Sequence, residues 1–340
     1  MNATTNATMK AIVYPRYGSP DVLQLMEVEK PVPKDDQVLV RVHAASLNAY
    51  DRVVRGRPLL IRLFTRNGLR RPKDRRLGVN LAGRVEAVGG AVTRFRVGDE
   101  VYGSAAGAFA EYACAREDQL APKPANVSFA AAATVPNAGR TALHALRDHG
   151  HVQAGQQVLI NGASGGVGTF AVQLAKAFGA EVTAVCSTKS VETARAIGAD
   201  HVIDYTREDF TKRGRGRGER RRERYDLILG VNGYHSLFSY RRALRRKGTL
   251  VMVGASPARL LRALFQVLLL GPVLNRLGSK QVRLCAFKSD PRDYPTLSEL
   301  LESGKVVPVI DRAFPLAETA EALRYMEAGH PRGKIVITAS

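Results

Sequence analysis

The sequence predicts an α/β protein of two domains, one β-rich and one a doubly wound parallel sheet with helices on both faces. Three observations carry this reading. The 340 residues exceed what one hydrophobic core usually organises. From residue 9 to about 119, short strand-like runs and turns follow one another with almost no helical periodicity. From about residue 157, strands and helices alternate instead, as βαβ crossovers in a parallel sheet require.

The elements follow in order. Residues 1–10 (MNATTNATMK) lack the apolar stretch of a secretory signal, and residues 1–8 read as a disordered extension before a strand opening at Met9. Residues 38–43 (VLVRVH) form a strand, and residues 81–88 another with Gly83 and Gly89-Gly90 as breakers. Residues 97–103 turn into a third. Near Ser128 the pattern changes, and residues 129–133 and 142–147 read as two helical pieces. Residues 157–161 form a buried strand and 166–178 a helix closed by Gly179. The next strand is 181–186 and the next helix 191–197, closed by Gly198. Strands at 201–204, 227–229 and 249–253 come after. The last part is mixed: a helix over 294–302, a strand over 306–310, a helix over 317–327 and a strand over 334–338.

Composition narrows the class. Cys114, Cys186 and Cys285 lie far apart, with no CxxC or Cys/His cluster. That spacing argues against a disulfide framework and a structural zinc lobe, and makes a reducing cytoplasm the expected compartment. The most apolar run, 264–270, is broken by Gln266 and ended by Gly271-Pro272, too short to cross a bilayer. The wider segment 260–274 is either a homodimer contact or a buried helix. A net charge of +20 invites a nucleic-acid reading. Residues 212–224 (KRGRGRGERRRER) hold eight Lys/Arg against two Glu, and residues 52–76 hold ten against one Asp. The first run is Gly/Arg-biased with no interleaved aromatics for base stacking, so it reads as a solvated, mobile loop rather than an RNA site.

The chemistry is concentrated in residues 158–168, VLINGASGGVG, which set glycines between a strand and a helix. Small residues there let the backbone turn tightly and approach a pyrophosphate, while the helix N-terminus offers unpaired N–H groups and partial positive charge. The spacing runs Ala163, Gly165, Gly168, with Ala163 where a first glycine usually stands; Ser164, Gly166 and Val167 complete the turn. A structural turn remains the alternative. At the end of the next strand an NAD site usually carries an acid for the ribose 2′-OH. Here residues 185–190 (VCSTKS) offer none before Glu192. Ser187 can donate to a 2′-phosphate and Lys189 can neutralise it, which favours NADPH.

The run GQQVLINGASGGVGTFAVQLAK (155–176) resembles the signature of the quinone oxidoreductase and zeta-crystallin branch of the medium-chain dehydrogenase/reductase superfamily. The likeness extends over most of the chain, through Met9-Lys10-Ala11-Ile12, Ser46-Leu47-Asn48, Leu77-Gly78, residues 82–89, Gly98-Asp99-Glu100-Val101, Gly198-Ala199-Asp200, Gly304-Lys305 and Gly333-Lys334-Ile335-Val336. It implies a GroES-like β-rich domain (9–127 and 289–340) joined to a Rossmann domain (128–288), with the active site in the cleft between them. Carried over by position, Gly165, Gly166 and Val167 would contact the pyrophosphate, and Ser187 and Lys189 the 2′-phosphate. Tyr205 would line the adenosine side, Thr141 would lie near the nicotinamide ribose, and Val253, Gly254 and Ala255 near the carboxamide.

Zinc-dependent relatives use a Cys and, further on, a His-Glu pair; the corresponding stretches here are 44–48 (AASLN) and 78–80 (GVN). Neither offers a thiolate or imidazole, and the adjacent His43 reads as a core or strand-edge residue. A catalytic zinc needs about three protein ligands, so no metal is expected. What remains is hydride transfer from the nicotinamide to a quinone or an α,β-unsaturated carbonyl. An alcohol or aldehyde reductase, or a non-catalytic nucleotide- or RNA-binding protein, are the alternatives. Asn48 is placed to orient substrate or ribose, and Tyr50 either donates a proton or packs in the wall. Asp51 reads as structural, paired with a nearby Arg. Three departures from the family pattern bear on substrate choice: Val53 where many relatives carry Tyr, Asn80 for an Asp, and Gly230 for an acid.

Overall fold

A computed structural model describes residues 7–56, 72, 75–212, 225–232, 235–254, 266–286, 290–329 and 331–339. The chain divides into two compact units. The first comprises Met1–Asn137, Tyr294–Glu302 and Pro308–Ser340; the second comprises Ala138–Asp293 and Ser303–Val307.

The first unit opens with β1 (Thr8–Val13), antiparallel to β2 (Gln24–Glu29). The strand therefore begins one residue before Met9, and Ala7 is already held, its carbonyl accepting from the Lys30 N–H at 2.8 Å. The rest of the expected extension, residues 1–6, lies outside the described residues. Next come β3 (Gln37–Ser46), β4 (Asn80–Val88), β5 (Glu100–Ser104), β6 (Tyr112–Arg116) and β7 (Leu120–Pro122). β3 is central, pairing antiparallel with both β4 and β6. Its Val38, Val40 and Val42 are buried with Tyr14, Leu81, Phe109 and Leu120 in one core. Gly83 does not break β4; it lies inside the strand, where an added Cβ would stand 2.0 Å from the Arg41 carbonyl oxygen. The glycine is needed because the backbones close up at an irregularity between Val42 and Ala44.

Residues 129–144 are one continuous helix, Phe129–His144, not two pieces, and Pro136 lies inside it. An interior proline costs about 3 kcal/mol, but Ala132, Ala133, Val135, Ala138, Ala142 and Leu143 are all buried along this helix. Burial of that apolar face, at about 25 cal/mol per Å², opposes the local penalty.

The second unit carries β8 (Gln157–Asn161), β9 (Glu181–Cys186), β10 (His201–Asp204), β11 (Tyr225–Gly230), β12 (Leu244–Met252) and β13 (Gln281–Leu284). All pairings are parallel and the order is β10-β9-β8-β11-β12-β13. This doubly wound order places a topological switch between β8 and β11, where such sheets bind ligands beyond the strands' carboxyl ends. β13 is an additional strand that the hydrophobic pattern did not reveal.

Two strands then complete the first unit's sheet, β14 (Ile310–Pro315) and β15 (Lys334–Thr338), with β15 antiparallel to β3. The strand expected over 306–310 starts only at Ile310. Val307 is instead held by a side chain, its N–H donating to Gln173 Oε1 at 2.7 Å and its carbonyl accepting from Gln173 Nε2 at 3.0 Å.

Candidate functional site

In the second unit, β8 ends at Asn161 and Gly162 turns the chain at φ +91°. The turn is fastened from both sides. The N–H groups of Gly162 and Ala163 donate to the Val185 carbonyl, each at 3.1 Å, and the Asn161 carbonyl accepts from Val231 and Asn232. Beneath it, Asn161 Nδ2 donates to the Tyr240 hydroxyl at 2.6 Å. The helix Gly166–Ala177 then starts from Gly165 as N-cap, with no side-chain cap. Its first N–H groups have no intrahelical acceptor, and a glycine cap leaves them to a ligand.

The glycines of this turn differ in what they permit. A Cβ on Gly168 would lie 2.1 Å from the Gly162 carbonyl oxygen, so this glycine serves helix–strand packing. A Cβ on Gly165 would meet nothing nearer than that same oxygen at 3.7 Å. Gly165 therefore borders open space at a helix N-terminus, the cradle a pyrophosphate requires. Ala163 is fully buried beneath it.

At the ends of β9 and β10 the Tyr205 N–H donates to the Cys186 carbonyl at 3.0 Å, bringing Ser187, Lys189 and Tyr205 to one edge of the sheet. Lys189 and Tyr205 are exposed. An acid overlooked in the sequence, Asp204, lies here too. It accepts from Thr188 Oγ1 at 2.5 Å and from the Thr206 N–H and hydroxyl. Those hydrogen bonds, with Thr188 first, hold its carboxyl below the usual range. This acid is not on the chain that follows β9 but arrives from the neighbouring strand β10. Toward the other end, Val253 and Gly254 donate their N–H groups to the Gly230 carbonyl at 3.0 and 3.2 Å. A Cβ on Gly230 would stand 2.7 Å from Met252 Sδ, so the flexible end of that side chain would have to shift to admit a larger residue. Thr141 is half-buried in its helix. Ala255, the side chain of Val53 and the Arg-rich run 213–224 lie outside the described residues.

In the first unit β3, β4, β15 and the helix Ala49–Gly56 bring a buried polar group together. Asn48 stands just before the helix. Asp51 reaches back so that its Oδ2 accepts from the Asn48 N–H at 2.8 Å, the reciprocal contact of a capping box. Ser46 Oγ donates to the Ala133 carbonyl at 2.8 Å and accepts from Asn80 Nδ2 at 3.3 Å. Asn48 Nδ2 donates to the Ser46 carbonyl at 3.1 Å. The charge facing Asp51 is not an arginine, as expected, but Lys334. Sequence periodicity assigned Lys334 only to the final strand, and the β15–β3 pairing brings it here. Lys334 Nζ donates to the Leu47 carbonyl at 2.5 Å and to Asn48 Oδ1 at 3.0 Å. Burial raises the Asp51 carboxyl to about 6, with its hydrogen bond from Asn48 and the Lys334 charge opposing. Burial likewise lowers Lys334 to about 8, against the pull of Asp51. Tyr50 is half exposed. His43 stacks on Phe129 with ring centroids 4.4 Å apart.

The donor set is wrong for zinc. Ser46, Asn48 and Asn80 offer a hydroxyl and two amides, and the Lys334 ammonium already occupies Asn48 Oδ1. Among the described residues no group of three His, Cys, Asp or Glu is placed to hold a metal ion.

Residues 34–125 match the family model described as alcohol dehydrogenase GroES-like domain, and residues 197–337 the one described as zinc-binding dehydrogenase. The NADPH-dependent alkenal/one oxidoreductase, chloroplastic, of Arabidopsis thaliana is 34% identical over 365 residues, covering 99% of this chain and 82% of the relative. The chain belongs to the medium-chain dehydrogenase/reductase superfamily. Its branch is that of the zinc-independent quinone oxidoreductases, whatever the second model's description says of zinc. The quinone-oxidoreductase homolog, chloroplastic, of Spinacia oleracea is 33% identical over 97% of this chain and 98% of the relative. The structure of the quinone oxidoreductase from Coxiella burnetii superposes with a TM-score of 0.81 at 30% identity, covering 98% of this chain and 100% of that one. This medium-chain dehydrogenase/reductase is thus an oxidoreductase that uses NAD(P)H and acts on a small molecule. Among the described residues, no helix is long and apolar enough to cross a membrane.

Proposed function

We propose that this chain is an NADPH-dependent reductase of quinones or α,β-unsaturated carbonyls, working without a metal. One observation carries the cofactor half: the open face of Gly165 at an uncapped helix N-terminus, at the switch point of a 3-2-1-4-5-6 sheet. Gly165, Gly166 and Val167 hold the pyrophosphate with backbone N–H groups. Ser187 and Lys189 take the 2′-phosphate, with Tyr205 against the adenosine. Asp204 already accepts three hydrogen bonds from Thr188 and Thr206, which reduces what it can offer a ribose hydroxyl. Thr141, Val253, Gly254 and Ala255 serve the nicotinamide end. The bound nicotinamide supplies the hydride.

The substrate half follows from the buried amides of the first unit. An electrophilic enone or quinone needs orientation and a hydrogen bond more than a Lewis acid. Asn48 supplies the orientation, and Tyr50 the proton or a hydrogen bond. We place the dinucleotide-binding domain at 128–288 and the substrate domain at 9–127 and 289–340, in a cytoplasmic enzyme that forms a homodimer, with 260–274 either a contact between its copies or a buried helix. The test is titration with NADPH and NADH, then a panel of quinones, enones and aldehydes with the preferred cofactor. NADPH binding at least tenfold tighter than NADH and turnover of quinones or enones are expected. Folded protein that oxidises no NADPH across the panel defeats the proposal.

A further inference from the structure

We infer that Lys334 is a positioning residue that fixes Asn48 as a hydrogen-bond donor, and never an acceptor, toward what binds in front of it. The inference rests on the reading that Asn48 faces substrate or cofactor. An asparagine amide has two ends, an accepting oxygen and a donating nitrogen, and a 180° flip exchanges them at little steric cost. Something must decide which end points where. An ammonium group decides it, because it carries three donors and no acceptor.

The geometry here leaves one orientation. Lys334 Nζ is 3.0 Å from Asn48 Oδ1, and flipping the amide would set an N–H against the ammonium. The other side agrees: Asn48 Nδ2 donates to the Ser46 carbonyl at 3.1 Å, and a flipped amide would face oxygen to oxygen. Asn80 adds a weaker contact of the same sense, its Nδ2 lying 3.4 Å from Asn48 Oδ1. With Oδ1 so engaged, Asn48 presents its Nδ2 end, which donates to the Ser46 carbonyl and has the Asp51 carboxylate beside it. Lys334 is itself immobilised by the Leu47 carbonyl at 2.5 Å and by burial to 4% exposure. Its stem is anchored by the pairing of β15 with β3, the strand that ends in Ser46. A donor in this position stabilises negative charge growing on a carbonyl oxygen as hydride arrives, and it needs no reorientation to do so.

The test is a double-mutant cycle on turnover of a quinone or enone with saturating NADPH, using Asn48→Ala, Lys334→Met and the pair together. Lys334→Met leaves Asp51 buried beside an apolar chain, so Lys334→Met/Asp51→Asn is made in parallel to remove both charges and keep the fold. NADPH affinity, read by the cofactor's fluorescence, reports on folding in every variant. The expected result is a fall in kcat of about tenfold or more for Asn48→Ala and for each Lys334 variant, with NADPH affinity within twofold of the parent. Adding Asn48→Ala to a Lys334 variant is expected to lower kcat no further, since both act through one hydrogen bond. If Asn48→Ala lowers kcat while the charge-free Lys334→Met/Asp51→Asn variant does not, or if the effects multiply, the positioning role is overturned and Asn48 keeps its own. If Asn48→Ala leaves kcat unchanged, the reading of Asn48 fails and the inference with it.

Discussion

Adding a single methyl group to Gly165 and, separately, to Gly168 divides the turn's service to the fold from its service to the cofactor. In Gly168→Ala the new Cβ falls 2.1 Å from the Gly162 carbonyl oxygen and 2.7 Å from the Ala163 carbonyl carbon, both backbone. Ordinary contact begins at 3.4 Å, so the helix must move off β8, an overpacking cost of about 1–3 kcal/mol. For a unit the size of the second, each kcal/mol lowers the unfolding temperature by roughly 2–4 °C. In Gly165→Ala the backbone, at φ −79° and ψ 171°, suits alanine, and the methyl group meets only one oxygen at 3.7 Å. The fold then loses only the small preference for glycine over alanine at an N-cap, about 1 kcal/mol or less. The methyl group, however, fills the space assigned to the pyrophosphate. Losing one hydrogen bond to a charged group costs about 1.5–3 kcal/mol, or roughly ten- to a hundredfold in Kd. Because the chain has no tryptophan, binding is read from the enhancement of NADPH's own fluorescence, and unfolding by circular dichroism. Gly165→Ala binding NADPH within twofold of the parent would refute the cradle. Gly168→Ala unfolding at the parent temperature would refute the packing argument.

Other expectations follow from neighbouring contacts. Ser187→Ala/Lys189→Ala should weaken NADPH binding by tenfold or more while leaving NADH affinity within about twofold; equal losses for both cofactors would remove these residues from the 2′-phosphate. Tyr240→Phe strips Asn161 Nδ2 of its 2.6 Å acceptor, and the buried donor left behind should cost about 1–3 kcal/mol, seen as a lower unfolding temperature. Asp51 carries a pH signature. Its carboxyl rises from 3.8 to about 6 on folding, so the folded state binds the proton more tightly. The stability this lends below pH 3.8 is lost as pH climbs through 6, with a slope approaching 1.4 kcal/mol per pH unit. Asp51→Asn should therefore gain on the parent in unfolding temperature between pH 4 and 6, and parallel curves would contradict that.

Much of the second unit was legible because strand–helix alternation and the glycine spacing are local signals. β8, β9 and β10, the helix after Gly165, and the polar edge at Ser187 and Lys189 all follow from residues adjacent in the chain. What escaped depends on partners far away in sequence. Helix Phe129–His144 runs through Pro136 because its alanines are buried, a fact no local propensity encodes. Asp204 reaches the end of β9 from the next strand over, and Val307 is held by a glutamine 134 positions earlier instead of by a strand partner. The polar group around Asn48 was half legible. The stretches 44–48 and 78–80 stood out as the places where zinc ligands would be. Lys334 was hidden at the start of an ordinary strand, and the expected arginine beside Asp51 was the wrong cation.

The pairing of β15 with β3 also sets an order of assembly. Residues 46–80 leave the ribosome long before Lys334, so Asp51 lacks its native counter-charge in the nascent chain. The second unit, nearly all drawn from the contiguous stretch Ala138–Asp293, has its residues together first and folds as a unit during synthesis. The first unit closes only when the final strand docks, and the same docking event delivers the ammonium that orients Asn48. Maturation of the polar centre is thus coupled to completion of the polypeptide, and a chain stalled before residue 334 retains the nucleotide half without a finished substrate half.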